Sequence, residues 1–271
     1  MFFKIFISFL SCCHLWASGS MVKSKTLQIK VSSVSHRALQ SVYDRFLKDG
    51  KVDYLGLKKN RKLLDSYLKK IAYLDGSQLE RNDLLALYLN VYNAFTLQVI
   101  IDHYPFKVTN RSKPKESILQ IPRVWDDYTI DISGELLSLN ELEHQKIRKF
   151  QDPRVHFAMV CGANSCPKLQ GQAFTKKNIN SLLNKSRDEF LDNPQNYHYC
   201  KDCKTIRLST IFKWFSQDFK KFYKKETRRY QKSSGVIGFI IDRMPKDLRE
   251  HFLKKQPKIV YSNYDWHLNK Q

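Results

Sequence analysis

The sequence predicts an α+β fold, a helix-rich domain packed around a small antiparallel sheet. Three observations predict it. Apolar residues recur at helical spacing over 36–48, 58–74, 82–103, 138–150, 176–191, 210–223 and 236–244. Between these lie short strand-like runs at 128–132, 154–160 and 206–209, with a last one opening at 258. The chain has 271 residues, 42% of them hydrophobic, with only 9 Gly and 8 Pro, which suits one packed domain and excludes a disordered chain.

The amino terminus reads as an export signal. Lys4 supplies a basic start, Ile5 to Leu10 an apolar core, and Ala17-Ser18-Gly19 a small-x-small cleavage site. The apolar run is far shorter than the roughly 20 residues that span a bilayer. The expectation is a signal peptide over 1–19, an exported protein, and one domain over 22–271. Leu10-Ser11-Cys12-Cys13 also resembles a lipoprotein box, so lipid anchoring stays open, as does a start at Met21.

The net charge of +21 raises nucleic acid as a partner. The basic residues are dispersed as Lys-Lys and Lys-Arg pairs over many predicted helices, and no aromatic-basic stripe of the kind that stacks bases is present. A specific nucleic-acid partner is therefore not expected. A solvated basic surface is, with an anionic membrane or polymer surface as the alternative contact.

Taken in order, residues 36–48 and 58–74 read as helices separated by Asp49-Gly50-Lys51-Val52-Asp53-Tyr54, a turn and a short extended piece. Residues 82–103 form the most apolar helix and should be central. Asn90, Asn93 and Thr96 make a polar seam along it, and buried amides need partners. They either bond backbone or line a site. Tyr104-Pro105 stops the helix, and 106–116 is a basic loop.

Ser138-Leu139-Asn140-Glu141 is a capping box, which fixes the phase of the helix it opens. In that phase Leu139, Leu142, Ile147 and Phe150 point inward, and Glu143 shares their stripe. A carboxylate on an apolar face must pair or take a raised pKa. Alternation in the run 154–160 puts His156 opposite the core-facing Val155, Phe157 and Met159. Beyond a Gly-Ala-Asn-Ser turn, Pro167 suits the first position of a helix, which would make Cys166 its cap and lower its thiol pKa.

The remaining cysteines fall into pairs. Cys200-Lys201-Asp202-Cys203 is a C-x-x-C, a zinc half-site or redox motif in some settings. With no βαβ pattern around it, it reads as a hairpin-turn pair open to disulfide bonding after export. No cofactor or metal is expected, although His156 with Cys161, Cys166 or Glu143 could hold a metal. Residues 210–223 are aromatic-rich, and the end of the chain, Tyr264-Asp265-Trp266-His267-Leu268-Asn269, reads as an aromatic cap on the domain.

The segments 49–54, 89–96, 138–148, 156–169, 208–219 and 264–269, in this order, resemble the domain of unknown function 547 family. The resemblance implies a chain often exported or lipid-anchored and an α+β architecture likened to papain-type thiol hydrolases. It also implies a Glu-His-Cys constellation, which falls here on Glu143, His156 and Cys166. A thiol-dependent hydrolase or acyltransferase follows as the expectation, acting on an amide or peptide-like substrate of the envelope. Cys166 would attack a carbonyl, His156 would move the proton and Glu143 would orient the imidazole. Asn93, or the backbone turn at Asn164, would stabilise the oxyanion, and Arg148 would bind a substrate carboxylate or neutralise an acid. The alternative is a non-catalytic envelope ligand-binding domain in which Cys161 and Cys166 form a disulfide.

Overall fold

The structure is a computed structural model and describes residues 29–271, so the expected signal segment and the Cys12/Cys13 pair lie outside the described residues. The fold is α+β. Strand β1 (Ile29–Lys30) leads to helix α1 (Arg37–Phe46), then the hairpin β2 (Leu47–Lys48) and β3 (Lys51–Val52). Asp49 and Gly50 both have positive φ (50° and 80°), the conformation a two-residue hairpin turn requires. Helices α2 (Tyr54–Lys59) and α3 (Lys62–Ala72) follow, so the run expected over 58–74 starts earlier and breaks at Asn60. Strand β4 (Leu74–Asp75) pairs with β1 in parallel.

Helix α4 (Arg81–His103) is buried on nearly every side, as its composition demands. It packs on α2, α3 and the helical run that begins at α5 (Leu139–Glu141). The hairpin β5 (Thr129–Ile132) and β6 (Glu135–Ser138) delivers the chain into α5. The polar seam of α4 is structural. The Asn93 amide donates to Ala158 O at 2.9 Å and accepts from Val160 N at 2.9 Å, while Asn90 does the same for Phe174.

Two expectations near the cysteines are corrected. Residues 154–160 are not a strand; Pro153–Phe157 is a 3-10 turn. The Asp152 carboxylate caps it by accepting from Arg154 N, with Pro153 at its first position, and this local start signal outweighs the apparent alternation. Nor does a helix follow Cys166. The chain runs irregularly until α6 (Ile179–Asp192), so no helix end lowers that thiol's pKa.

The remaining chain builds a second cluster of buried residues. Strands β7 (Tyr197–Cys200) and β8 (Thr205–Leu208) form a hairpin closed by the Cys200–Cys203 disulfide, and β9 (Lys258–Tyr261) joins β8 in parallel. Helices α7 (Thr210–Trp214), α8 (Ser234–Ile241) and α9 (Lys246–Lys255) pack about Phe157, Phe190, Phe212, Phe219 and Phe239. The other cluster holds α1 to α4, the β5–β6 hairpin and part of α6. The candidate site lies where residues of both meet.

Candidate functional site

Glu143 arrives where its helical phase predicts. The capping box is formed, with Ser138 Oγ accepting from Glu141 N at 3.1 Å and Glu141 Oε2 accepting from Ser138 N at 2.8 Å. After α5 the helix widens into a π turn, Leu142–Lys146, and tightens into a 3-10 turn, Ile147–Phe150. Glu143 sits in the π turn, a local irregularity that often marks functional positions. It is only 8% exposed, and its Oε1 has no hydrogen-bond partner among the described residues. Burial raises its carboxyl above the usual range against the opposing pull of His156, His144 and Arg148, and the negative charge of Asp218 adds to the rise.

His156 is 3% exposed on the Asp152-capped turn. Its Nε2 lies 2.7 Å from Asp218 Oδ2, and its ring stacks on Phe215 with centroids 4.0 Å apart. Arg148 grips the same carboxylate through Nε at 2.7 Å and Nη2 at 2.8 Å. Burial alone would raise the Asp218 carboxyl; the hydrogen bonds from His156 and Arg148 outweigh it and hold the group far below the usual carboxylate range. Nε2–H donates to Asp218, which leaves Nδ1 as the second ring nitrogen. Nδ1 has no partner among the described residues.

Cys166 is disulfide-bonded to Cys161. Its Sγ also accepts from Cys161 N at 3.0 Å and from the Tyr264 hydroxyl at 3.2 Å. The carboxy-terminal segment holds this loop in place. Asn164 N donates to His267 O at 2.7 Å, Ser165 N to Asp265 O at 3.1 Å and Asn269 N to Gly162 O at 2.8 Å. Gly162 has φ +78°, and a Cβ there would come within 2.5 Å of Ile100 Cδ1, so this position requires glycine.

These groups line one cavity of about 290 Å³. Glu143, His156, Cys161 and Cys166 are all among its lining residues. Trp125, Trp214, Tyr264 and Trp266 form an aromatic wall, and Tyr92, Met159, Pro167, Ile211 and Phe215 complete the lining. Burial raises the Tyr92 and Tyr264 hydroxyls well above their usual range, which keeps both protonated as donors. Cys166 and Pro167 also line a second, polar cavity of about 500 Å³, together with Lys51, Asn164, Lys168, Glu189 and Asp192. The disulfide thus stands between an apolar cavity and a polar one.

The structure brings Glu143, His156 and Cys166 to one cavity and leaves the other three expected residues outside it. Asn93 is spent on the backbone of 158–160, and Arg148 neutralises Asp218. Asn164 bonds Lys51 Nζ at 2.6 Å and Asp265 Oδ2 at 3.0 Å and faces the polar cavity. The turn at Asn164 is no oxyanion hole either, because the N–H groups of Asn164, Ser165 and Cys166 all donate to backbone carbonyls. The partner of the imidazole is Asp218, not Glu143. The sequence signal for it was an acid within the aromatic-rich stretch 210–223, the same kind of misfit that marks Glu143. The aromatic wall had its signal in the cap at Tyr264 and Trp266.

Fold and site together define an α+β domain with an aromatic-walled cavity beside a disulfide and an Arg–Asp–His chain. Residues 76–191 match the model of the family described as protein of unknown function, DUF547, the family the sequence resembles. The matched segment holds Tyr92, Trp125, Glu143, His156 and Cys166. Asp218, Trp214, Tyr264 and Trp266 come from the chain beyond it. Neither a curated protein nor a solved structure matches the chain.

Proposed function

We propose that the protein is a thiol-dependent hydrolase or acyltransferase for an amide or peptide-like substrate, competent when the Cys161–Cys166 disulfide is reduced. One observation carries the reading. Cys166 Sγ has two donors, Cys161 N–H and the Tyr264 hydroxyl, in the same cavity as an imidazole held by Asp218 with its other nitrogen unpartnered. Reduction by a dithiol takes up two electrons and two protons and gives two thiols, the reductant leaving as its own disulfide. The Tyr264 hydroxyl also lies 3.5 Å from Cys161 Sγ. The donor that singles out Cys166 is therefore the Cys161 N–H, which favours the Cys166 thiolate and makes it the more acidic thiol of the pair.

In the proposed reaction His156 Nδ1 takes the Cys166 proton and the thiolate bonds to the substrate carbonyl carbon. The imidazolium then returns the proton to the departing amine, leaving an acyl thioester for water or a second nucleophile. Asp218 holds the ring and balances its charge, the role the sequence resemblance gave to Glu143. The Tyr264 hydroxyl and Cys161 N–H are the donors nearest the developing oxyanion. Export, as the amino terminus suggests, would place the disulfide in an oxidising compartment and make its reduction the enabling event.

The disulfide itself favours a second reading, a non-catalytic ligand-binding domain. Alkylation with iodoacetamide separates the two. After mild reduction Cys166 should label at least ten-fold faster than Cys161, with a rate profile shifted to acid, and His156→Ala or Asp218→Asn should remove the advantage. Equal labelling of both thiols in the folded protein would leave the binding domain as the better account.

A further inference from the structure

We propose that the aromatic-walled cavity binds a protonated amine carried on an apolar frame, with Glu143 as counter-charge and the tryptophan wall as its cation–π face. This names a substrate class for the site above and rests on that reading of the cavity. It is independent of thiol chemistry, because the disulfide form already contains the cavity.

Glu143 lines this cavity, and its Oε1 is a buried polar atom with no hydrogen-bond partner among the described residues. An unmade hydrogen bond of this kind costs about 1–3 kcal/mol. As a carboxylate oxygen it can only accept. The complementary group is a donor without acceptors, and a primary ammonium, with three N–H groups, is that group.

Trp125 and Trp266 have ring centroids 6.0 Å apart, Trp266 and Tyr264 4.5 Å, and Tyr264 and Trp214 4.9 Å, a continuous aromatic surface. Tryptophan and tyrosine faces attract a desolvated cation. The chain has 47 Lys and Arg against 26 Asp and Glu, yet no Lys or Arg lines this cavity among the described residues. Arg148 is held by Asp218 through Nε and Nη2. Among the described residues Glu143 is the one carboxylate in the lining, and an anionic ligand would meet it with no Lys or Arg beside it.

The test uses the full-length, disulfide-bonded protein and n-pentylammonium, followed by tryptophan fluorescence and calorimetry. Its uncharged analogue n-pentanol and the donor-free tetramethylammonium are run beside it. The expected result is saturable quenching by n-pentylammonium, a Kd at least ten-fold below that of n-pentanol, and at least ten-fold weakening in Glu143→Gln. Trp214→Ala provides a second variant, because Trp214 is 48% exposed at the cavity and its removal spares the core; it should weaken binding three-fold or more. Equal affinity for the alcohol, or an unchanged Kd in both variants, would overturn the proposal. Tetramethylammonium binding as tightly as n-pentylammonium would overturn the hydrogen-bonding assignment of Oε1. Normal Cys166 alkylation without amine binding removes this inference alone, whereas amine binding without selective alkylation removes only the hydrolase.

Discussion

At Glu143 and Asp218 the protein holds two carboxylates in one neighbourhood and treats them oppositely. Glu143 is buried with an unpartnered oxygen, so its carboxyl is raised. A raised carboxyl penalises the folded state once it ionises, and the penalty grows as pH climbs through and beyond the unfolded value near 4. Glu143→Gln should therefore gain stability relative to the parent between pH 4 and pH 7, read by urea denaturation at each pH. A parent that outlasts the variant at pH 7 would mean that the hydrogen bond between Glu143 and the Tyr92 hydroxyl outweighs the cost of burial. Asp218 is held low by His156 and Arg148. Its contribution is complete above the unfolded value and disappears as pH falls through the depressed one. Asp218→Asn should cost about 2 kcal/mol at pH 6, between the values for exposed and fully buried pairs. That cost should shrink steadily below about pH 4, measured in the same series.

Among the elements, α8 illustrates how closely the fold is fitted. Gly235 and Gly238 lie one turn apart, and α8 rests against the 3-10 segment Ser216–Phe222. A Cβ at Gly238 would stand 1.8 Å from Phe222 O, and one at Gly235 would stand 2.4 Å from Phe219 O. Both obstacles are backbone and cannot rotate away. Gly238→Ala should lose about 3 kcal/mol, the upper range for overpacking, by chemical denaturation. Because Ser216–Phe222 also carries Asp218, the variant should blunt selective alkylation of Cys166 as well. The elements also show where periodicity misleads. The apolar run 154–160 alternates like a strand, but Asp152 and Pro153 commit it to a 3-10 turn that buries His156 with its neighbours. His156 still lines the cavity, though not for the reason alternation gave.

For the whole molecule the decisive question is whether the chain stays folded when its disulfides open. Cys161–Cys166 and Cys200–Cys203 close separations of five and three residues. Loops that short restrict the unfolded chain little, about 2 kcal/mol each by chain entropy. Two extensive clusters of buried residues should carry the remainder. Reduction should leave the far-ultraviolet circular dichroism unchanged at 25 °C and lower Tm by roughly 10 °C. A reduced chain that unfolds at 25 °C would exclude the dithiol enzyme and favour the binding domain.

The sequence by itself determined the helix-rich α+β class, the capping box at Ser138 and, through its phase, the burial of Glu143. It also placed His156 and Cys166 in one short unit and marked the aromatic cap at the chain's end. These are local facts, set by periodicity, capping chemistry and turn residues within a few positions. Only the tertiary structure decided that Asp218, 62 residues from His156, holds the imidazole. It alone set Asn93 on the backbone of 158–160 and brought Trp266 beside Trp125 as one wall. Such partners are separated along the chain and chosen by packing, so no spacing rule records them. The disulfide belongs to both scales: the paired cysteines were legible, but their place between two cavities was not.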